Sequence, residues 1–145
     1  IKAGADHLLI HTESCLHLHR TIHRIKEEGV QVGVAMNPST PLAAIEEVLS
    51  YVDIALVGTV NPGFAGQKMI TETLDKVARL KEFLRERGYG AEIQVDGGIN
   101  AETASSVVNA GATILVAGTA IFNKVDSIEA AVTKLRASFA HAAVP

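Results

Sequence analysis

The sequence contains no tryptophan, a single cysteine at Cys15, and only 13 lysine and arginine residues, which form no basic cluster. One cysteine excludes an internal disulfide and is typical of a reducing compartment, so we expect a cytoplasmic location. A formal net charge of −3 with scattered basic residues argues against a nucleic-acid partner. No apolar run approaches the roughly 18 residues that a membrane span requires, so we expect no membrane partner.

The chain has 145 residues, of which 48% are hydrophobic and 20% charged, as expected for one globular domain spanning residues 1–145. It begins without a methionine and in the middle of a pattern. Residues 1–5 are interpreted as the end of a helix, with Gly4 as its stop, leading into a strand. We therefore suspect that upstream units of the same domain are missing.

Five short apolar runs alternate with segments of helical periodicity. The predicted strands cover about residues 6–11, 31–36, 53–58, 92–95 and 113–116. The predicted helices cover about residues 16–28, 41–51, 69–87, 101–110 and 127–141, with Thr40 as the N-cap of the second and a short helical turn near Ala120. Continuous apolar runs indicate strands buried on both faces, as in a parallel α/β sheet.

The spacing of these units favours a barrel. Dividing the 145 residues by five gives about 29 residues per unit, and eight such units approach the usual size of a (β/α)₈ barrel. A doubly wound open sheet is the alternative, because spacing alone does not distinguish the two. No GxGxxG follows any strand, which disfavours the dinucleotide-binding version.

Three strand ends carry the residues with the clearest chemistry. Residues 53–67 are interpreted as a buried strand, a glycine-rich loop and the approach to a helix, which brings backbone N–H groups to the edge where phosphorylated ligands bind. Asp96 ends the fourth strand, where a carboxylate serves as general acid and base or as a hard metal ligand. The glycines at 97 and 98 would let the backbone approach a phosphate. The alternative is an Asp-Gly turn that begins a helix.

Gly118 and Thr119 end the fifth strand and supply a second phosphate candidate, with ordinary helix capping as the alternative. The glycines in residues 63–66 predict a mobile flap over the carboxyl edge of the sheet. The alternative is a long surface loop. His19 and His23 are spaced to share a metal on one helix face, but no third ligand is evident, so solvated side chains are favoured. His11 and Glu13 lie at the end of the first strand, at the same edge of the sheet as the other candidate residues.

Several motifs resemble the ribulose-phosphate 3-epimerase family, including its allulose-6-phosphate relatives. They are VNPGFAGQ at residues 60–67 and VDGGI at 95–99, together with HTE at 11–13, NPSTP at 37–41 and VAGTAIF at 116–122. The resemblance implies a (β/α)₈ TIM barrel of which this chain covers about strands 4–8. It also implies interconversion of D-ribulose 5-phosphate and D-xylulose 5-phosphate, in pentose phosphate metabolism, with a sugar-phosphate substrate, and we expect a homo-oligomer.

In that family two aspartates act on opposite faces of C3, and a divalent metal polarises the neighbouring carbonyl. The resemblance implies zinc, with iron, manganese or cobalt as alternatives. It assigns Asp96 as both the second catalytic aspartate and a metal ligand. It assigns substrate and phosphate contacts to Gly63, Phe64, Ala65, Gly66, Gly97, Gly98, Gly118 and Thr119.

Two departures from the family pattern matter. The family's N-terminal segment, with its first catalytic aspartate and its other metal ligands, is absent, so we expect the 145-residue chain alone to be inactive. Gly58 also stands where the family usually has a methionine beneath the metal site, which leaves room there and puts metal geometry and substrate fit in doubt.

Two alternatives to an epimerase stay open. One is a non-catalytic phosphate-binding or self-associating half-barrel, because a five-strand piece has two open edges. The other is a related lyase or decarboxylase that acts on keto-sugar phosphates.

Overall fold

The computed structural model describes residues 1–142, which form a parallel sheet and its connecting helices. The strands are β1 His7–His11, β2 Gln31–Met36, β3 Ile54–Gly58, β4 Glu92–Asp96 and β5 Ile114–Val116. The α-helices are α1 Leu18–Glu27, α2 Thr73–Arg87, α3 Ala104–Ala110 and α4 Ile128–Ser138. Three short 3₁₀ helices cover Thr12–Ser14, Leu42–Ala44 and Glu46–Tyr51. None of the helices within residues 1–142 is long and apolar enough to cross a membrane.

The strand order is β1-β2-β3-β4-β5, and every neighbouring pair is parallel. Each strand therefore lies next to its successor in the chain, and the order never reverses. A doubly wound sheet requires such a reversal at its switch point, so the structure excludes that alternative for residues 1–142. Successive right-handed crossovers in one direction place all the helices on the same face, as in a segment of a barrel wall.

Alternation along the strands divides the sheet into a helix face and an inner face. On the helix face, one hydrophobic core joins strand residues such as Val34, Val57 and Val95 to the buried sides of α1, α2 and α3. The inner face is the face turned away from the helices, and it carries Ala35, Leu56, Gln94 and their register neighbours. At its carboxyl end, Gly58 is aligned with Asp96, and Asp96 with Val116.

The prediction of strands buried on both faces is confirmed for β2 and β3 and wrong for the two edge strands. All residues of β2 after Gln31 are buried, whereas β1 and β5 contain no fully buried residue. The reason is topological, because each edge strand pairs with only one neighbour in the sheet. Apolar composition alone does not distinguish an edge strand from a central one.

The predicted helix over residues 41–51 is wrong in type. It forms two 3₁₀ segments instead, and Pro41 before them is extended, with φ −71° and ψ 152°. Thr40 makes no N-cap bond, since its hydroxyl donates to Glu13 and its carbonyl accepts from Lys76. The tertiary contacts of Thr40 therefore replace the local capping interaction that the sequence predicted.

The other helices agree in position but begin later than predicted. α2 starts at Thr73 instead of residue 69, and α3 starts at Ala104 instead of residue 101. The residues before α3 are held by Asn100, whose side-chain oxygen accepts from the amides of Glu102 and Thr103 at 2.8 and 3.1 Å. Such an Asx turn uses the donors of the first helical turn before the helix itself begins.

Candidate active site

A cavity of about 430 Å³ lies at the carboxyl ends of β3, β4 and β5. The residues that line it come from the loop after β3, from the β4 end and its glycine pair, and from the β5 end. They include all nine predicted site residues: Gly63, Phe64, Ala65, Gly66, Asp96, Gly97, Gly98, Gly118 and Thr119. The structure thus brings together three segments that are separated by up to 56 positions in the chain. The chemical roles assigned to these residues stay predictions.

Asp96 supplies the carboxylate of this cavity. It is the last residue of β4, and its backbone carbonyl accepts from the amide and the hydroxyl of Thr59 at 2.8 and 3.0 Å. Thr59 is fully buried, and its hydroxyl also donates to Gly97 at 2.6 Å. These bonds fix the end of β4 against the end of β3. By alternation the Asp96 side chain projects from the inner face, and the residue is exposed at the rim.

The glycine pair after Asp96 is required by protein packing. Gly97 and Gly98 have φ values of +125° and +65°, a region that other residues rarely adopt. A Cβ atom at Gly98 would lie 2.5 Å from the Met69 amide nitrogen, and one at Gly97 would lie 2.7 Å from a Val60 methyl group. The loop after β3 therefore passes directly against the β4 end. The close approach of a phosphate to these glycines stays a prediction.

Gly118 differs from that pair, because a Cβ atom there would meet nothing within 4 Å and no positive φ is required. The residue is exposed at the mouth of the cavity. Its carbonyl accepts from the amides of Ile121 and Phe122, both at 2.9 Å, which confirms the predicted helical turn. The side of Gly118 where a Cβ would lie is thus open space that a ligand can enter.

The loop over residues 61–67 is braced by Gln67. Its side-chain amide donates to the carbonyls of Asn61 and Phe64 at 2.6 and 2.9 Å. Gly63 and Gly66 supply positive φ values of 143° and 79°. The loop tip carries Phe64, which is 74% exposed. Sequence reasoning quoted Gln67 within a motif but gave it no role.

A second polar cluster lies at the carboxyl ends of β1 and β2. One carboxylate oxygen of Glu13 accepts from the Asn37 amide at 2.7 Å and from the Thr40 hydroxyl, and the other lies 3.0 Å from Nδ1 of His11. Burial pushes the pKa of Glu13 upward, but hydrogen bonds from Asn37, Thr40, its own backbone and His11 outweigh burial and lower this pKa to about 2.

Lys76 holds the same loop from the other side. The side chain is 6% exposed, and its ammonium donates to the carbonyls of Asn37, Pro38 and Thr40 at 3.1, 2.7 and 2.6 Å. Burial, followed by the charge of Arg79, lowers the pKa of Lys76, and the nearby charge of Glu13 partly opposes this. Sequence reasoning missed Lys76. The available signal was its position inside the apolar stripe of α2, next to Val77 and four residues before Leu80.

The residues present do not form a complete metal site. Within residues 1–142, no group of three or more histidine, cysteine, aspartate or glutamate side chains is placed to hold an ion. Asp96 is the one predicted ligand in the cavity, and it is exposed. His11 at the β1 end is paired with Glu13. A divalent ion held by Asp96 would therefore need further ligands from outside the described residues.

Comparison with known proteins identifies the family. The model of the ribulose-phosphate 3 epimerase family matches residues 1–122. The chain belongs to this family. Ribulose-phosphate 3-epimerase from Bacillus subtilis is 49% identical over 138 residues, covering 94% of this chain and 63% of that protein. The chloroplastic ribulose-5-phosphate-3-epimerase of Arabidopsis thaliana is 47% identical over 146 residues, covering 99% of this chain and 52% of that protein.

The chain therefore spans about half to three fifths of the length of these curated relatives, which are isomerases. Among solved structures, 3-hexulose-6-phosphate synthase from Salmonella typhimurium matches with a TM-score of 0.72 and 26% identity, covering 98% of this chain and 65% of that one. The structural neighbours are TIM-barrel-like, in agreement with the single direction of strand order in this epimerase-family chain.

Proposed function

We propose that the whole protein interconverts D-ribulose 5-phosphate and D-xylulose 5-phosphate, and that this chain supplies units 4–8 of its (β/α)₈ barrel. The observation that carries the proposal is the position of Asp96. Its carboxylate projects at the rim of the inner face and shares one cavity with three glycine-containing loops. Family membership and identities of 47% and 49% to named epimerases support the substrate assignment.

The proposed chemistry requires a base beside C3 of the ketose. The C3 proton is acidified by the adjacent C2 carbonyl, so a carboxylate oxygen accepts it while the electron pair moves into an enediolate. Return of a proton to the opposite face of C3 gives the epimer. Asp96 serves one face of C3 in this scheme. A single carboxylate does not reach both faces, so the second acid and base comes from outside this chain.

The glycine loops are proposed to hold the phosphate. Gly118 and Thr119 at the β5 end offer backbone amides and a hydroxyl beside the open space in which a Cβ would meet nothing within 4 Å. Residues 63–66 bound the cavity on another side, and Gln67 keeps the shape of their loop. Backbone amides bind phosphate oxygens without needing a positive side chain, in agreement with the absence of lysine and arginine from the cavity lining.

A divalent metal, zinc in the first place, stays part of the proposal. Asp96 would be one of its ligands, and the remaining ligands would come from outside residues 1–142, where no group of three or more potential ligands is found. We further propose a cytoplasmic protein that assembles as a homo-oligomer. Cys15 is a free thiol, which suits a reducing compartment.

The test is an epimerase assay on the complete protein with D-ribulose 5-phosphate as substrate. Asp96→Asn is expected to lower kcat by about 10²–10⁴-fold, because the amide does not accept the C3 proton. Asp75→Asn is the matched control, since Asp75 is exposed on α2 and pairs with Arg79. Activity within about twofold of wild type in Asp96→Asn would contradict the assignment.

Carbon–carbon bond chemistry on a keto-sugar phosphate is a second candidate, because a 3-hexulose-6-phosphate synthase superposes with a TM-score of 0.72. The two reactions differ in the fate of the carbon skeleton, so product analysis separates them. Epimerisation exchanges the C3 proton with solvent and leaves the number of carbons unchanged. A non-catalytic phosphate-binding protein is favoured instead if the complete protein binds inorganic phosphate and turns over neither substrate class.

A further inference from the structure

A histidine pair on α1 lies apart from the cavity and has no role in the proposed reaction. His19 and His23 occupy positions i and i+4 of the helix, so their side chains project from the same side. Both residues are exposed, and neither lines the cavity at the ends of β3, β4 and β5. Their Nε2 atoms are 3.1 Å apart.

This distance suits two nitrogens that bind the same metal ion. With metal–nitrogen bonds of about 2.05 Å, two nitrogens separated by 3.1 Å subtend an angle of about 98° at the metal. That angle lies between the roughly 90° of octahedral or square-planar sites and the roughly 109° of tetrahedral ones. The pair therefore needs no change in the separation of its nitrogens to bind an ion through both, only a rotation of the rings that turns both lone pairs toward one point beside the line joining them.

The present contact also shows that the two Nε2 atoms face each other. A hydrogen bond between two neutral imidazoles requires one Nε2 to donate its proton and the other to accept it. The shared proton then lies between the two nitrogens. When a metal ion displaces this proton to solvent, the ring that donated it takes up a proton at Nδ1 from solvent, so both rings stay neutral. Each Nε2 then offers a lone pair to the ion, which lies beside the line that joins the two nitrogens. Imidazole nitrogens are good ligands for Zn²⁺, Ni²⁺ and Cu²⁺.

Tyr51 restricts the two rings in this arrangement. Its ring centroid is 5.1 Å from that of His19, at an interplanar angle of 88°, and 5.1 Å from that of His23. The Tyr51 carbonyl accepts from the Lys26 ammonium at 2.9 Å, which ties the end of the 3₁₀ helix Glu46–Tyr51 to α1. Because the rings pack against a tethered aromatic group, less rotamer freedom is lost when a metal binds.

We propose that His19 and His23 together bind one divalent transition-metal ion at the surface of α1. Residues 1–142 place no third histidine, cysteine or carboxylate in a group with this pair, so water completes the coordination. The site takes borderline ions that prefer nitrogen, such as Ni²⁺, Cu²⁺ and Zn²⁺, over Mg²⁺ or Ca²⁺, which prefer oxygen ligands. It is separate from any ion held by Asp96.

The experiment is calorimetric titration of the complete protein with Ni²⁺, in wild type and in His19→Ala and His23→Ala variants. Each variant is expected to lose about tenfold or more in affinity for the site, because one nitrogen of the chelate is gone. His17→Ala is the matched control, since His17 is exposed, adjoins α1 and is outside the pair. It should bind Ni²⁺ as wild type does.

Electron paramagnetic resonance with one equivalent of Cu²⁺ gives a second measurement. Two coupled nitrogens are expected in wild type and in His17→Ala, and one in His23→Ala. Circular dichroism confirms that the variants are folded. Ni²⁺ affinity within twofold of wild type in both His19→Ala and His23→Ala would overturn the proposal, as would a Cu²⁺ spectrum unchanged by His23→Ala.

Discussion

Replacing Lys76 by methionine tests a buried charged side chain that makes three hydrogen bonds. The ammonium of Lys76 donates to three carbonyls of the loop after β2 while its stem packs within the apolar side of α2. Methionine keeps the apolar stem and most of the volume but provides no donor. The carbonyl of Asn37 still accepts from the Thr40 amide at 3.1 Å, whereas Pro38 and Thr40 lose their lysine partner.

The expected cost follows from these bonds. A hydrogen bond to a charged donor contributes about 1.5–3 kcal/mol, and leaving a buried acceptor without a partner costs about 1–3 kcal/mol. The loop is half-buried, so water replaces part of what is lost. Burial also disfavours the charged lysine, which offsets part of the gain from its bonds. We therefore expect Lys76→Met to lower the free energy of unfolding by about 2–4 kcal/mol.

Urea denaturation followed by circular dichroism measures this change. The midpoint should fall while the slope stays the same, because the substitution removes contacts without altering the surface exposed on unfolding. Lys134→Met on α4 is the matched control, since Lys134 is exposed and should change stability by less than about 0.5 kcal/mol. If Lys76→Met lowered the free energy of unfolding as little as Lys134→Met, the hydrogen bonds from Lys76 to the loop carbonyls would not stabilise the fold.

Two further predictions concern the same edge of the sheet. The pKa of Glu13 is lowered from 4.5 to about 2, so its contribution to stability is present above about pH 4.5 and is lost as the pH falls toward 2. Because its side chain is 29% exposed, that contribution is about 1–2 kcal/mol. The difference in free energy of unfolding between wild type and Glu13→Gln, measured by urea denaturation, should be constant from pH 5 to 7 and shrink below pH 4.5. A difference that stays constant down to pH 2.5 would show that the ionised Glu13 carboxylate does not stabilise the fold. Gly98→Ala should lower the free energy of unfolding by about 2 kcal/mol or more, since its Cβ would lie 2.5 Å from the Met69 nitrogen. Gly118→Ala should leave the free energy of unfolding in urea nearly unchanged, because its Cβ would meet nothing within 4 Å. The same variant should weaken the binding of inorganic phosphate, measured by calorimetry. Equal stability losses at the two glycines would show that this division of roles is wrong.

The sequence was sufficient for the central strands because each one is short, has buried apolar residues at its centre and is bounded by residues typical of turns. β2 was predicted with its correct bounds, and β3 and β4 to within one residue. Glycines and an aspartate after strands were expected to lie together because parallel strand ends meet at one edge, and the family resemblance added Phe64 and Ala65; their roles stay predictions. The structure does place all nine around one cavity.

What sequence reasoning missed depends on contacts between distant segments. Thr40 was predicted as a helix cap, but its hydroxyl bonds Glu13, which is 27 positions earlier, and its carbonyl bonds Lys76, which is 36 positions later. Local capping rules contain no information about such partners. The packing of the glycine pair at 97 and 98 was missed for the same reason, since its partners Val60 and Met69 lie in another loop; the predicted phosphate contact of these glycines stays a prediction.

Asp96 can carry a charge at the carboxyl edge of the sheet because it lies at the exposed end of β4. Two residues earlier on the same face of β4 is Gln94, a neutral and half-buried side chain whose register neighbour Leu56 is 8% exposed. An ionised carboxylate at that depth would lose its hydration without gaining a partner, which costs several kcal/mol. At the rim, Asp96 adjoins Gly58, which has no side chain to crowd it, and remains exposed. The inner face of β4 thus has the neutral Gln94 at its middle and carries the Asp96 carboxylate at its exposed carboxyl rim.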